Sequence, residues 1–198
     1  MRKKIMTQCL AFSMAMVVFF GQSPNVMADT PSTTEQIIEC TGPVTKARKA
    51  TTPTLKSIVN AVKKAYGDSY IPNTKIDAKT LSEQYGIKKS MYDSVYAEGP
   101  MLSFQIDTFI VVKAKKGKVA TVKKALNNYK KYLLKESMQY PMNAAKLPAA
   151  QVYSFGNYVV FSMLVTPEHS KAQTETQILK EAKAQNKIAY DTIKKLFK

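Results

Sequence analysis

The sequence predicts a single α+β domain in which a small antiparallel or mixed sheet of about three strands packs against two to four helices. Three observations support this fold class. Apolar residues recur at helical spacing in separate segments. A run of β-branched and aromatic residues lies between the short helix and the long helix, and two strand-like runs flank a Gly-Asn pair. The resulting order is helix, short helix, strand, long helix, strand, strand, helix, which favours helices on one face of the sheet.

The first helix is predicted to begin at Thr52, because this residue is a good N-cap and Pro53 suits the first helical position. Gly67 is expected to end it in a left-handed cap. Its apolar positions are Leu55, Ile58, Val59, Val62 and Tyr66. Asp77 is then expected to cap a short helix that carries Leu81 and Tyr85 and closes at Gly86.

Residues 87–102 give no clear periodic pattern, and Gly99-Pro100 marks a break. The segment 103–112 is rich in β-branched and aromatic residues and predicts a strand that is buried on both faces toward its end. A long helix is predicted from Lys116 to Gln139, ended by Tyr140-Pro141. Its apolar stripe consists of Val119, Val122, Leu126, Tyr129 and Leu133.

A hairpin is predicted from Val152–Phe155 and Tyr158–Val165, because Gly156-Asn157 fits a two-residue turn. This turn places Phe155 opposite Tyr158, Tyr153 opposite Val160 and Val152 opposite Phe161. A C-terminal amphipathic helix is predicted over about 167–197, starting at Thr166-Pro167-Glu168. Its apolar side carries Ile178, Ala182, Ala189, Ile193 and Leu196, and its other side carries Lys180, Lys183, Lys187, Lys194 and Lys198.

Three regions are expected along the chain. Residues 1–28 have a basic start, an apolar run and the ending Val26-Met27-Ala28, which predicts a signal peptide cleaved before Asp29. Residues 29–52 have the Thr/Pro bias of a flexible tether, and 53–198 form the domain. The apolar run is shorter than the roughly 20 residues of a spanning helix. We therefore expect a secreted, extracellular protein, with retention at the cell envelope left open.

The chain of 198 residues is strongly basic, with a formal charge of +16. Loss of the leader removes three basic residues and leaves 27 Lys and Arg against 14 Asp and Glu, a charge of +13. Such a chain is attracted to polyanions. Outside a cell these are anionic cell-wall polymers or acidic membrane surfaces, and intracellular nucleic acid is not expected as a partner. Only Cys40 remains after cleavage, so the mature chain has no intramolecular disulfide; an intermolecular one stays open.

The segment from about 70 to 165 carries several features in a distinctive order. Tyr85-Gly86-Ile87 precedes a polar turn, Gly99-Pro100-Met101 opens a strand that passes Asp107 and reaches Val111–Lys115, and the Lys-rich helix and Gly156–Val160 follow. In this order and spacing the chain resembles the domain of unknown function numbered 4358, common in secreted proteins and lipoproteins of Gram-positive bacteria. Many relatives resemble lipid-anchored proteins, whereas this chain has the pattern of a cleaved leader. The family has no established activity, so the resemblance implies no catalytic or binding residue.

Catalytic and metal-binding patterns are weak in this sequence. His169 is the single histidine and is expected to be exposed at the start of the last helix. The carboxylates are scattered without metal-site or calcium-loop spacing. The glycines stand singly and form no phosphate-binding loop, so we predict no cofactor, no metal site and no catalytic residue.

The lysine pattern is the one charged feature that suggests a binding surface. Nine lysines and no acidic residue lie between Asp107 and Glu136. On the long helix, several of them should project away from the apolar stripe. We predict a polyanion-binding ridge formed by Lys116, Lys123, Lys124, Lys131 and Lys135. A merely solvated helix face is the alternative.

Two function classes follow from these observations. The first is a secreted, non-enzymatic, envelope-associated or interaction module with a basic surface. The second is an extracellular enzyme, for example a hydrolase, with a site built from dispersed residues. This second class predicts a deep pocket lined by at least two convergent polar side chains. Extracellular nucleic-acid binding is disfavoured, because the interleaved exposed aromatic residues of stacking surfaces are lacking.

Overall fold

The structure is a computed structural model that describes residues 52–102 and 104–198. Within these residues, five strands form one antiparallel sheet and five α-helices accompany it. The strands are β1 (Thr74–Lys75), β2 (Tyr92–Gly99), β3 (Thr108–Ala114), β4 (Gln151–Phe155) and β5 (Tyr158–Met163). The helices are α1 (Leu55–Tyr66), α2 (Ala78–Glu83), α3 (Val119–Lys135), α4 (Pro141–Ala144) and α5 (Glu175–Leu196). The order across the sheet is β1-β2-β3-β5-β4.

The predicted α+β class is confirmed, but the predicted sheet of about three strands is too small, and five helices exceed the expected two to four. The two strands that sequence analysis missed are β1 and β2. Strand β1 has only two residues, and β2 contains a register shift between Tyr92 and Ser94. Burial along β2 does not follow a strict two-residue alternation, so the strand gives no periodic signal.

Helices pack on both faces of the sheet, so the expected one-face arrangement is wrong. Alternate residues of the central strand β3 face opposite layers. Ile110 and Val112 pack with α2 and α3, whereas Phe109 and Val111 pack with α1 and α5. Strand β5 is divided in the same way and all six of its residues are buried. The core therefore consists of two apolar layers separated by the sheet.

The start of α1 differs from the prediction by two residues. The N-cap is Thr54, whose Oγ1 accepts a hydrogen bond from the Ser57 backbone N at 3.1 Å, and Thr52 lies outside the helix. Gly67 ends the helix with a φ of 53°, as predicted. Asp77 caps α2 as predicted, because its Oδ1 accepts from Thr80 N at 2.7 Å.

The long helix α3 is shorter at both ends than the predicted segment 116–139. Lys116 lies in the turn before it, and the helix ends at Lys135. Tyr140-Pro141 does not terminate α3 and instead opens the short helix α4, where proline occupies the first turn. Four of the five predicted apolar positions are fully buried, and Val119 packs against the same cluster.

The hairpin of β4 and β5 has the predicted register, with Phe155 paired to Tyr158, Tyr153 to Val160 and Val152 to Phe161. The last helix starts later than predicted, at Glu175. Thr174 and Gln177 form a reciprocal capping box there, which satisfies free backbone N–H groups of the first turn. Residues 167–173 therefore precede the helix.

The predicted signal peptide (1–28), the tether up to residue 51 and Cys40 lie outside the described residues. Within the part of the chain that the structure describes, no helix has the length and apolar character needed to span a bilayer.

Candidate functional site

The predicted lysine ridge lies on α3 and in the turn before it. Lys123, Lys124, Lys131 and Lys135 are on the helix, Lys116 is in the turn, and all five are exposed. The helix buries its opposite side against the sheet, because Val122, Leu126, Tyr129 and Leu133 belong to the core layer. The apolar stripe thus fixes the direction in which the lysines point.

The lysine ridge carries uncompensated positive charge. Among the residues described by the structure, none of its five lysines has a carboxylate oxygen within 4.0 Å. The helix itself contains five lysines and no acidic residue. Such a surface differs from a helix face laced with i,i+4 ion pairs. Its charge remains available to an external anion.

A second polar cluster joins α1 to β2, and sequence analysis did not find it. Lys63 Nζ lies 3.1 Å from Oε1 and 3.0 Å from Oε2 of Glu98. Tyr70 donates its hydroxyl to Glu98 Oε2 at 3.2 Å. Lys63 also lies over the rings of Tyr70 and Tyr96, at 5.0 and 5.3 Å from their centroids. The cluster ties helix α1 to strand β2 of the sheet.

Electrostatics in this cluster favour the charged form of Lys63. Burial opposes its charge, but the Tyr96 hydroxyl and the Glu98 carboxylate close to Nζ outweigh that cost, and the pKa of Lys63 is raised. Burial is also the main reason that the pKa of Tyr70 is strongly raised. Both groups hold their protons over the ordinary pH range. The Tyr96 hydroxyl is buried near Lys63 and Glu98, but among the described residues its geometry makes a hydrogen bond to neither of them.

Two clefts flank this cluster. One, of about 430 Å³, lies along β2 and is lined by polar and apolar side chains, including Lys75, Asp77, Leu81, Tyr96 and Glu98. The other, of about 380 Å³, lies between α1 and β2 and shares Tyr96 and Glu98 with the first. These clefts provide convergent polar groups, but Glu98 is already paired with Lys63.

A third cleft, of about 540 Å³, lies at the outer strand β4 and has three lysines on its rim. Lys130 comes from α3, whereas Lys183 and Lys187 come from α5. Burial lowers the pKa of Lys130. Lys187 forms an ion pair with Asp191, one turn further along α5. The cleft is wide and open, and its charge is partly compensated by that pair.

Asp107 is buried, and its hydrogen bonds stabilise the fold. Its Oδ1 accepts hydrogen bonds from Val165 N at 2.7 Å and from Thr166 N at 3.1 Å, and its Oδ2 accepts from Thr166 Oγ1 at 2.7 Å. Burial raises the pKa of this carboxyl group, and the three donors act in the opposite direction. Asp107 therefore fixes the chain that leaves β5 to the start of β3.

His169 is exposed, as predicted, but it does not lie in a helix. It belongs to the segment between β5 and α5, and its nearest acidic partner is Glu168, at 3.8 Å. Within residues 52–102 and 104–198, no group of three or more His, Cys, Asp and Glu side chains is arranged to hold a metal ion.

The order of elements from the end of α1 to the end of β5 is matched by a family model. The model describes a domain of unknown function, DUF4358, and covers residues 65–164. The chain belongs to the DUF4358 family. The matched DUF4358 segment contains all five strands and the layer of α2 and α3, whereas α5 and most of α1 lie outside it. Searches of curated proteins and of solved structures gave no match.

The lysine ridge of this DUF4358 domain could be predicted from the sequence, whereas the Lys63 cluster could not. A ridge on one helix follows from helical spacing alone. Lys63 and Glu98 are 35 residues apart and lie on elements that meet only in the folded state. No local sequence signal joins them, and their pairing required knowledge of where α1 packs.

Proposed function

We propose that this DUF4358 protein is a secreted, non-enzymatic, envelope-associated interaction module that binds anionic cell-wall polymers through its lysine ridge. The leader-like sequence supports its export, and the formal mature charge of +13 supports attraction to polyanions. The observation that carries the proposal is the absence of ion-pairing carboxylates around the ridge in the described part of the chain.

The spacing of the lysine ridge suits a linear polymer with repeated charges. Lys124, Lys131 and Lys135 follow one another at seven and four residues on the exposed side of α3. At about 1.5 Å per residue, this row is roughly 16 Å long. Lysine ammonium groups act as point charges and do not form the bidentate contacts of arginine. Binding is therefore expected to depend on charge density and to weaken as salt screens it.

Sedimentation with purified Gram-positive cell walls tests this proposal. The mature chain should pellet with walls at low salt, be released at high salt, and fail to bind walls whose phosphate-rich polymers have been removed with hydrofluoric acid. The triple variant K124Q/K131Q/K135Q should lose at least about tenfold in affinity, since three contacts of a salt-dependent interaction are removed.

A matched control separates the ridge from net charge. The variant K56Q/K64Q/K195Q loses the same three charges from exposed positions of α1 and α5 and should lose less than about threefold in affinity. Equal losses in the two variants would contradict a role for the ridge. Failure of the unaltered chain to pellet at low salt would exclude wall binding as the function.

An extracellular hydrolase is the alternative, and the cleft along β2 is the feature that favours it. Glu98 and Tyr96 both line this cleft, so a carboxylate and a phenol converge there. Release of p-nitrophenol from p-nitrophenyl acetate or p-nitrophenyl glycosides, lost in Glu98→Gln, would support this alternative. The ion pair of Glu98 with Lys63 favours a structural role for that carboxylate.

A further inference from the structure

Six large apolar side chains are exposed on two connections of the chain. They are Met101, Leu102, Phe104, Met138, Tyr140 and Met142, and their exposed fractions range from 43% for Leu102 to 99% for Met138. Scattered exposed apolar residues are ordinary on soluble proteins, but a cluster of them marks an interaction surface. We call these six residues the apolar end surface.

The two connections meet at one end of the sheet. Asn143, in α4, is buried and donates its Nδ2 to the Phe104 backbone O at 2.7 Å, which joins the β2–β3 connection to α4. Asn143 N also bonds to Tyr140 O at 2.8 Å. A turn closed by Gln105 N and Leu102 O, 3.0 Å apart, holds the first connection together. These bonds bring the six apolar residues to a common end of the molecule.

One half of the apolar end surface lies in the segment 131–146, whose charged residues are mainly basic. Lys131 and Lys135 lie in the last turns of α3, directly before Met138, and Lys146 follows α4. Lys146 Nζ is 3.3 Å from Thr166 Oγ1, so it lies near the end of β5. Glu136 is the acidic residue in the same stretch. Three lysines against one glutamate give this segment a net positive charge, although Lys146 also interacts with the buried carboxyl group of Asp107.

We propose that the apolar end surface inserts into the headgroup region of an anionic lipid bilayer, with Lys131, Lys135 and Lys146 bound to lipid phosphates. Apolar side chains flanked by lysines provide the two contributions that hold a peripheral protein on such a membrane, apolar burial and electrostatic attraction. The six side chains line none of the clefts described above. Protruding, flexible methionine side chains suit a fluid partner that closes around them.

This inference shares Lys131 and Lys135 with the proposed wall binding, but its apolar side chains lie outside the lysine ridge and its partner is different. The apolar end surface is formed by connections between elements, whereas the row of lysines runs along α3. Wall binding should therefore survive changes to the apolar end surface. The loss of one activity without the other distinguishes failure of this inference from failure of the proposed function.

Vesicle sedimentation provides the first test. The mature chain should bind vesicles of equal parts phosphatidylglycerol and phosphatidylcholine, and bind pure phosphatidylcholine at least tenfold more weakly. The variant L102S/F104S/M138S should lose at least tenfold in affinity for the anionic vesicles and retain wall binding. Because these three side chains are exposed, the variant should fold normally by circular dichroism. Unchanged vesicle binding by this variant, or no binding by the unaltered chain, would overturn the inference.

A matched control is available at the other end of the sheet. Leu196 is 36% exposed, close to the 43% of Leu102, and the next residue, Phe197, stacks on Phe155 beside the β4–β5 turn. Leu196→Ser should leave vesicle binding within twofold, whereas Leu102→Ser alone should weaken it about threefold or more. Equal effects of the two substitutions would contradict a localised docking surface.

A fluorescence measurement tests insertion itself. The chain contains no tryptophan, so Phe104→Trp introduces a single reporter. Its emission should shift to the blue on anionic vesicles and be quenched by brominated lipids, while Leu196→Trp should show neither effect. Vesicle binding without a blue shift would overturn insertion and leave attraction by lysines alone.

A concentration-dependent dimer that is lost in L102S/F104S/M138S would assign the surface to self-association instead.

Discussion

The two helical layers differ in whether their lysines form ion pairs with carboxylates. In the layer of α1 and α5, two of the eight helical lysines form ion pairs among the described residues, Lys63 with Glu98 and Lys187 with Asp191, and α5 also carries three acidic residues. In the other layer, α3 has five lysines, no acidic residue and no ion pair among the described residues. The sheet supports both layers through the same two central strands, so packing does not explain the difference. The proposed wall binding assigns the unpaired charge of α3 to contacts outside the domain.

This comparison also separates the family segment from its surroundings. The matched residues 65–164 include α3 and its ridge, whereas α5 lies beyond them. Among the described residues, the one paired lysine of α5, Lys187, thus belongs to an element outside the DUF4358 match, whereas the ridge lysines of α3 belong to an element within it. We expect the two layers to contribute equally to stability through packing and to differ in the ion pairing of their charges.

The largest expected effect tests equality of packing. Phe161 contacts Tyr129 of α3 with ring centroids 5.5 Å apart, and Phe109 contacts Tyr70 on the other face at 6.3 Å. Both phenylalanines are completely buried. Phe161→Ala and Phe109→Ala should each reduce the free energy of unfolding by about 3–5 kcal/mol, measured by urea denaturation. Exposed Phe104→Ala should cost less than about 0.5 kcal/mol; a loss in one buried variant at the level of this control would show unequal layers.

The next effect concerns the hydrogen bonds that join Asp107, directly before β3, to the chain that follows β5. Asp107→Ala leaves the N–H groups of Val165 and Thr166 without their acceptor, and an unsatisfied buried donor costs about 1–3 kcal/mol. We expect a loss of about 2–4 kcal/mol in urea denaturation, and a smaller loss for Asp107→Asn, which retains one acceptor oxygen. A loss below about 1 kcal/mol for Asp107→Ala would contradict this role.

The Asp107 variants also predict a pH dependence. Burial raises the pKa of Asp107 in the folded state above its ordinary value of 3.8. The folded chain therefore binds this proton more tightly than the unfolded chain. The stabilisation that comes from this tighter binding of the Asp107 proton is fully present below the ordinary pKa. It is lost as pH rises through the raised pKa of the folded state. The stability of the unaltered chain relative to Asp107→Asn should fall over this interval, and a constant difference would contradict the direction of the shift.

A smaller effect tests the paired charge of the first layer. Glu98→Gln removes the partner of Lys63 and weakens the acceptor of the Tyr70 hydroxyl. Because the Lys63 side chain is 41% exposed, water takes over part of the lost interaction, and the expected cost is about 0.5–1 kcal/mol. The measurement is again urea denaturation, with and without 0.5 M salt. A destabilisation that grows with salt would contradict an electrostatic origin.

The smallest effect tests the unpaired charge of the other layer. Lys131 and Lys135 are like charges at i and i+4, which disfavour the helix by about 0.2–0.5 kcal/mol. The triple glutamine variant of the ridge should therefore be as stable as the unaltered chain, or slightly more stable at low salt. A loss above about 1 kcal/mol would show that these lysines have partners in the fold and that the proposed surface is structural.

Local patterns in the sequence predicted the hairpin and the buried side of α3 well. The register of β4 and β5 follows from the two-residue turn at Gly156-Asn157, because turn length fixes which residues oppose each other. The apolar stripe of α3 similarly follows from helical spacing. In both cases neighbours along the chain determine the structure, so no knowledge of distant contacts was needed.

Features that depend on distant contacts were missed. Strand β1 forms because Thr74 and Lys75 pair with Gly99 and Glu98, and two residues give no periodic signal. The predicted burial of the central strand on both faces already required helices on both faces, a consequence that the predicted one-face arrangement overlooked. The start of α5 was misplaced because Pro167-Glu168 resembles a helix start, whereas the Thr174–Gln177 capping box marks the observed one.

The candidate site shows the same division. The ridge residues could be placed on one side of a helix from spacing alone, and the structure places four of the five on α3 and exposed, with Lys116 in the turn before it. The apolar end surface was not predicted, because Phe104 was assigned to a buried strand that in fact begins only at Thr108. Exposure of Phe104 depends on the β2–β3 connection turning outward toward α4, which no local pattern specifies.

The contact between α1 and α5 has a consequence for the order of folding. Tyr66 donates its hydroxyl to Gln185 O at 2.7 Å, across 119 residues of chain. Closing so long a loop is entropically costly, and it awaits synthesis of the last helix. Until then Phe109 and Val111 lack half of their covering layer. A nascent chain therefore exposes apolar surface of its central strand from the synthesis of that strand until the last helix is made, and its maturation depends on whatever keeps that surface from aggregating.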